Sequence, residues 1–322
     1  MAYQVCPEYA GNITQVHFAE RRILGDWLIS KMPFLEKVLW NPNGVTHGMA
    51  AYFSSAETHR FPVSTNNVYL CDYGIFVGYI DGRPLVFLTD DTLLPINHPE
   101  IEVLNSFESH LRSCGVEVDR VPFWTIGGDA LITERHAFIG TDIMQSTAAL
   151  YGDYADARFG IARPFSPLGL ETVILDPAGE LQPSDPLHYA NRGFYHLDTA
   201  LGFIQGLDDR PVALLAQLNG DPNGYHSYLD HVESSLSGRG YGIERVPAII
   251  TDNSYWTGTN LRVNGHTRTA YAFSSGNEDV DNSLRDTMFD YYYRVIFHKP
   301  FQAARETRAG FRCFSFTIRS LA

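Results

Sequence analysis

The stretch Gly115-Val116-Glu117-Val118-Asp119-Arg120-Val121-Pro122 returns, altered but recognisable, 125 residues downstream as Gly240-Tyr241-Gly242-Ile243-Glu244-Arg245-Val246-Pro247. Both copies lead with glycine, carry an acid-arginine pair and close on Val-Pro. If two structural units separate the copies, each unit is about 62 residues, near the range in which repeat architectures are sought. A chain of 322 residues then divides into five.

The hydrophobic periodicity supports that division. Apolar residues at helical spacing predict helices over Gln15 to Met32, Glu100 to Ser113, Asp142 to Arg158, Tyr225 to Ser237 and Asp281 to His298. β-branched and aromatic blocks alternate with them: Asn67 to Tyr79 followed by Pro84 to Leu88, Asp129 to Gly140, His196 to Ala216, Asn253 to Phe273, and Cys313 to Ile318. Asp81-Gly82 and Asn264-Gly265 are hairpin signals inside these blocks. Each block opens on a polar or reactive residue, namely Asn67, Asp129, His196, Asn253 and Cys313, at steps of 62, 67, 57 and 60 residues. Equivalent points of five units would present these side chains to one centre.

Composition bounds the rest. With 44% hydrophobic residues, 13% aromatics and 322 positions, the chain can fill a substantial core as a single domain spanning residues 1–322. A formal charge of −13 leaves no basic stripe for phosphates and argues against nucleic acid as a partner. Four cysteines without Cys-x-x-Cys spacing suggest neither a disulfide framework nor a cysteine-rich zinc site, and fit a reducing compartment. Met1 to Gly11 carries Pro7 and Glu8 where a secretory peptide needs an apolar run, and no stretch approaches membrane-spanning length. The expected location is cytoplasmic, with no membrane partner.

Chemistry concentrates at two places. Cys313 lies ten residues from the end, and His196-Leu197-Asp198 lies over a hundred residues upstream. Thiol, imidazole and carboxylate can supply a nucleophile, a proton shuttle and a cation-binding acid once folding joins them. The alternation His-Leu-Asp, read as strand, places His196 and Asp198 on one face. Asn253 after Asp252 can equally close an Asx turn. The histidines His17, His136, His226 and His231 have no spacing that compels a metal site, and are assigned surface or core roles. Tyr291, Tyr292 and Tyr293 with Phe289 and Phe297 read as an aromatic helix surface, which permits a homo-oligomer.

The motifs, in order, resemble the guanidino-group-modifying enzymes, or penteins: arginine deiminase, dimethylarginine dimethylaminohydrolase, agmatine deiminase and glycine amidinotransferase. Gly127-Gly128-Asp129-Ala130-Leu131 with Ala137-Phe138-Ile139-Gly140 looks like the family's Gly-Gly-Asp strand pair. His196-Leu197-Asp198-Thr199 looks like its His-x-Asp motif, and Gly310-Phe311-Arg312-Cys313 like its C-terminal cysteine strand. The resemblance implies an α/β fold, a five-bladed propeller of ββαβ units around a central channel. It implies a cysteine-dependent hydrolase of a guanidino or amidino group on an arginine-like small molecule. Cys313 would be the nucleophile, His196 the acid and base, and Asp129 a group orienting the histidine. Asp198, Asn67 and Asn253 would bind substrate. No cofactor and no metal is implied. An amidinotransferase would use the same Cys313 adduct, and a non-catalytic ligand-binding pentein is a third reading.

Two departures from the family pattern bear on the substrate. The residues before Gly127 are Trp124-Thr125-Ile126, where many members carry a glutamate that supports the histidine. Thr65-Asn66-Asn67 stands where an Arg-Asp pair commonly binds substrate, and an amide holds a guanidinium less strongly than a carboxylate does. Asp72 and Glu134 are the acids available to compensate.

Overall fold

Two helices end in the same way, at glycines 125 residues apart. The computed structural model describes residues 2–21, 49, 53, 55–63, 70–95, 98, 100–176, 196–220, 225–251, 254–298, 310–313 and 315–321. In chain order its elements begin with β1 (Tyr3–Val5), β2 (Ile13–Arg21), β3 (Glu57–Val63), β4 (Ile75–Ile80), β5 (Arg83–Thr89), α1 (Glu100–Ser113), β6 (Glu117–Val121), β7 (Ala130–Ile132) and β8 (His136–Ile139). There follow α2 (Thr141–Tyr151), α3 (Tyr154–Phe165), β9 (Glu171–Ile174), α4 (Leu197–Ala200), β10 (Leu201–Gln205), β11 (Pro211–Leu218), α5 (Tyr225–Ser237) and β12 (Gly242–Thr251). The chain closes with β13 (Ser254–Thr257), β14 (Arg262–Asn264), β15 (Thr269–Phe273), α6 (Glu278–Phe289), β16 (Arg294–His298) and β17 (Phe316–Arg319).

Both halves of the sequence repeat adopt one local structure. Gly115 (φ +79°) and Gly240 (φ +78°) are left-handed, a conformation that costs glycine nothing and ends a helix. Val116 N–H then donates to Leu111 C=O at 3.1 Å, and Tyr241 N–H to Leu236 C=O at 3.2 Å, equivalent bonds that turn the chain into β6 and β12. Arg120 pairs with Glu108 on α1, and Arg245 with Glu233 on α5, again at the same separation.

The fold is mixed α/β. Among the described residues the strands form five small sheets. Four share one plan, in which an antiparallel hairpin is followed by a helix, or by the two helices α2 and α3 in the second case, and a parallel third strand: β4-β5-β6, β7-β8-β9, β10-β11-β12 and β14-β15-β16. The fifth takes its strands from both ends of the chain, with β17 antiparallel to β2 and β2 parallel to β3. Strands β1 and β13 extend two sheets at their edges. Central strands such as β5 and β11 are buried through most of their length. Apolar contact on both faces drives that burial.

Helices α1 and α5 match their predicted bounds. Three other expectations change. Gln15 to Arg21 belongs to strand β2; residues 22–48 lie outside the described set. Val16, His17 and Phe18 are consecutive and all fully buried, so the run lost the alternation that marks a half-exposed strand. The helix expected from Asp142 to Arg158 is two helices: Gly152 ends α2 with φ +75°, and the Asp153 carboxylate caps α3 by accepting from Ala155 and Asp156 N–H. The helix expected from Asp281 to His298 starts at Glu278 and stops at Phe289. Tyr292 follows with φ +61°, and 294–298 is β16. The aromatic helix surface is therefore not one face: Phe289 and Tyr292 are exposed on the helix end and turn, and Tyr293 is buried. No helix among the described residues is long and apolar enough to cross a membrane.

Candidate active site

The sheets bring polar residues together because the residues just ahead of each sheet's first hairpin strand converge. Asp72 precedes β4, Asp129 precedes β7, Asp198 precedes β10, Asn260 precedes β14 and Cys313 precedes β17. Asn67 and Asn253 lie outside the described residues; Asp72 and Asn260 are the polar residues found ahead of β4 and β14 among the described ones.

His196 sits at the middle of this group. Its Nδ1 is 3.7 Å from an Asp72 carboxylate oxygen and its Nε2 is 3.7 Å from one of Asp142. His196 and Asp198 are not on a strand: His196 caps the one-turn helix α4, whose Thr199 N–H and hydroxyl both donate to the His196 carbonyl, at 3.0 and 2.6 Å. Gly128 makes room for both side chains, since a β-carbon there would lie 2.7 Å from His196 Nδ1 and 3.3 Å from Asp198 Oδ2. The Gly-Gly pair is thus more than a turn.

Asp129 is committed to the backbone. It accepts from Leu197 N–H at 2.8 Å and from Ile143 N–H at 2.7 Å, tying the histidine segment to the start of α2. Gly140 packs directly against this carboxylate, and any side chain there would overlap it.

Cys313 is buried, and Asn260 Nδ2 approaches its sulfur at 3.5 Å. The Cys71 thiol contacts the Cys313 sulfur and also lies 3.3 Å from Asp72 Oδ1. A continuous path, Cys313 to Cys71 to Asp72 to His196, therefore joins the two residue types that the sequence singled out. Arg312 turns away from the thiol, anchored by Glu8 and by the Gly127 and Ala130 carbonyls at 2.8 and 3.1 Å. Its Nε is 3.5 Å from Asp198.

Charge in this group is unbalanced. Asp198 is fully buried, and neither carboxylate oxygen accepts a hydrogen bond among the described residues. Burial lifts Asp198 to about 6 despite opposition from Arg312 and His196. Burial likewise raises Asp72 and Asp142, and raises Asp129 well above the usual carboxylate range. For His196 burial disfavours the cation, but Asp72, Asp198, Asp129 and the Cys313 sulfur outweigh it and lift the imidazole to about 9. The Cys313 contact, burial and the Asp72 charge all hold Cys71 as a neutral thiol.

Sequence reasoning named Asp72 as a compensating acid, and it stands beside His196. Glu134 bonds Tyr9 instead. Asp142, Cys71 and Asn260 were missed. For Asp142 a signal existed: an acid in the first turn of a helix that follows the Ala137–Gly140 strand. For Cys71 and Asn260 none did.

No protein-family model and no curated sequence matches the chain. Solved structures do. A putative arginine deiminase from Porphyromonas gingivalis superposes with a TM-score of 0.65 at 14% identity, covering 98% of both chains. The agmatine deiminase of C. jejuni gives 0.64 at 12% identity over 99% of this chain and 97% of that one. The fold is that of the penteins. A third structure, the N-terminal domain of ArgZ, an arginine dihydrolase from cyanobacteria solved as a cysteine-to-serine variant with substrate, gives 0.55 at 14% identity over 95% of this chain and 98% of that one.

Proposed function

We propose that the protein is a cysteine-dependent hydrolase that cleaves a C–N bond in the guanidino or amidino group of an arginine-like small molecule, within a five-bladed pentein propeller. The five repeated sheets support the architecture. The observation that carries the chemistry is the fully buried Asp198 carboxylate beside His196 and the Cys313 group, which among the described residues accepts no hydrogen bond and has only the Arg312 Nε at 3.5 Å as an ion-pair partner. A buried carboxylate without hydrogen bonds is costly, and a guanidinium offers the planar donors and the positive charge that would relieve it.

In this reading Cys313, as thiolate, attacks the guanidinium carbon and forms a C–S bond. His196, protonated at neutral pH by its acidic surroundings, hands its proton to the departing amine or ammonia as the C–N bond breaks. The neutral imidazole then takes a proton from water, whose oxygen attacks the amidino-thioether carbon and releases the Cys313 sulfur. Asp198 and Asp72 hold the substrate cation, Asn67 and Asn253 belong to the same binding group, and Cys71 and Asn260 donate to the thiolate. Asp129 acts through the backbone, as a positioning residue for His196. The small guanidino compound is the partner, and a cytoplasmic setting suits a free thiolate.

Trapping with 2-chloroacetamidine, followed by peptide mass mapping, tests this. A single adduct on Cys313, abolished in Cys313→Ser and slowed strongly in His196→Ala, is the expected result. Labelling spread over Cys6, Cys71 and Cys114 would sink the site. Product analysis with arginine or agmatine, with and without an added amine, separates transfer to water from transfer to amine.

A further inference from the structure

A second cysteine-histidine group lies apart from the site above, where the β2–β3 pair meets the end of α1. His17 and His59 are direct neighbours in the parallel register of β2 and β3. His110 is in the last turn of α1, and Cys114 follows it at i+4, its N–H still donating to the His110 carbonyl at 3.2 Å. Two strands and one helical turn thus deliver four side chains to one place.

Their donor atoms face each other. His17 Nδ1 is 3.1 Å from His110 Nε2, and Cys114 Sγ is 3.5 Å from His59 Nδ1. One donor atom each from His17, His110 and Cys114 falls within a 4.8 Å span. A tetrahedral zinc with Zn–N near 2.0–2.1 Å and Zn–S near 2.3 Å holds its ligand atoms roughly 3.3–3.6 Å apart. His17 and His59 stack with ring centroids 4.8 Å apart, and His59 reaches the group through its Nδ1 contact with Cys114.

One outward nitrogen is held as well: His17 Nε2 is bonded to Gln15 Oε1 at 3.2 Å, whereas His59 Nε2 lies 3.4 Å from a Glu57 carboxylate oxygen without a hydrogen bond to it. An oxygen behind the distal ring nitrogen is how proteins orient a metal-ligating imidazole and select its tautomer. Gln15 also donates from Nε2 to the Cys114 carbonyl at 3.3 Å, so the same side chain steadies two of the four groups. His17 is fully buried, while Cys114 and His59 keep partial exposure that leaves a route inward.

We infer that His17, His59, His110 and Cys114 form a three-histidine, one-cysteine site for a zinc ion that clamps the β2–β3 pair to α1. Three imidazoles and a thiolate are a borderline-soft set suited to Zn²⁺, and four protein ligands close the coordination sphere, which is the mark of a structural rather than a catalytic ion. Binding displaces the thiol proton of Cys114 and leaves the imidazoles neutral.

The test uses the full chain, stripped with chelator and titrated with Co²⁺ and then Zn²⁺. One equivalent of Co²⁺ is expected to give intense tetrahedral d–d bands and a thiolate-to-cobalt band in the near ultraviolet, displaced by one Zn²⁺. Cys114→Ser removes the thiolate band, and His110→Ala weakens Zn²⁺ at least about 100-fold. Cys313→Ser leaves both unchanged. In the unaltered protein, where no variant can misfold, Zn²⁺ slows iodoacetamide labelling of Cys114 at least about tenfold, against the same reaction without metal. A wild-type spectrum without a thiolate band overturns the proposal. So does a band that survives Cys114→Ser or vanishes in Cys313→Ser, or labelling of Cys114 that ignores Zn²⁺.

Discussion

The same two residue types, cysteine and histidine, meet twice in this chain, and their surroundings send them in opposite directions. Around His196 the neighbours are Asp72, Asp142, Asp129 and Asp198, and the imidazole is lifted to about 9. Around His17 burial, followed by His110 and His59, pushes the imidazole down to about 3. A ring of acids makes a proton carrier. Burial beside other imidazoles keeps His17 neutral, with one ring nitrogen able to offer its lone pair to another electrophile. The difference lies chiefly in the company each histidine keeps, His17 fully buried among imidazoles and His196 partly buried among carboxylates.

The comparison breaks most readily at Asp198. Asp198→Asn is expected to lower kcat/KM about a thousandfold, the scale of losing a principal charge-stabilising group, whereas His110→Ala, in the other group, leaves turnover intact. Stability moves the other way. Asp198 holds its proton more tightly when folded, at about 6 against an ordinary 3.8, so its ionisation costs stability progressively between those values and fully above about 6. Near pH 7 this cost is of the order of 3 kcal/mol. Calorimetry should therefore show Asp198→Asn melting no lower than the parent at pH 7.5, with the two alike near pH 4; a clear loss of Tm would contradict the assignment.

A pH profile sharpens the contrast with a smaller effect. Substrate binding needs ionised Asp198 and the acid step needs protonated His196, so kcat/KM should rise through about 6 and fall through about 9. Asp72→Asn removes the strongest support for the imidazolium, and the alkaline limb should move toward the ordinary histidine range by about one unit. An alkaline limb that stays in place would mean that Asp72 does not set the proton affinity.

Gly128→Ala probes the same centre more gently. The new methyl crowds His196 Nδ1 at 2.7 Å, and about a tenfold loss in kcat is expected from a displaced ring, with unchanged circular dichroism. Equal turnover would show that the close approach carries no function.

Much of this was legible beforehand, for reasons that can be named. α1 and α5 were read to the residue because each has apolar positions at helical spacing on one face and a left-handed glycine just beyond its end; both signals are local. The 125-residue repeat announced that one unit recurs, and the equivalent Arg120–Glu108 and Arg245–Glu233 pairs of the structure agree with it. Strand β2 was misread because it is covered on both faces and paired on both sides, so its residues no longer alternate. The strand face expected for His196 and Asp198 is absent: a capped helical turn and the bare Gly128 bring the two side chains together instead.

Residue chemistry and the sequence repeat were enough to name the thiol, the imidazole and the modular plan, and the family resemblance picked out the Gly-Gly-Asp motif, because each is written in short runs of neighbouring residues. Which acids stand against His196, and that His17 and His59 meet His110 and Cys114, depended on strand register and on how separate sheets pack. Those contacts join positions tens to hundreds of residues apart, and a linear reading has no measure of such distances. Only the folded chain sets the local field, and the field decides whether a histidine moves protons or offers its lone pair.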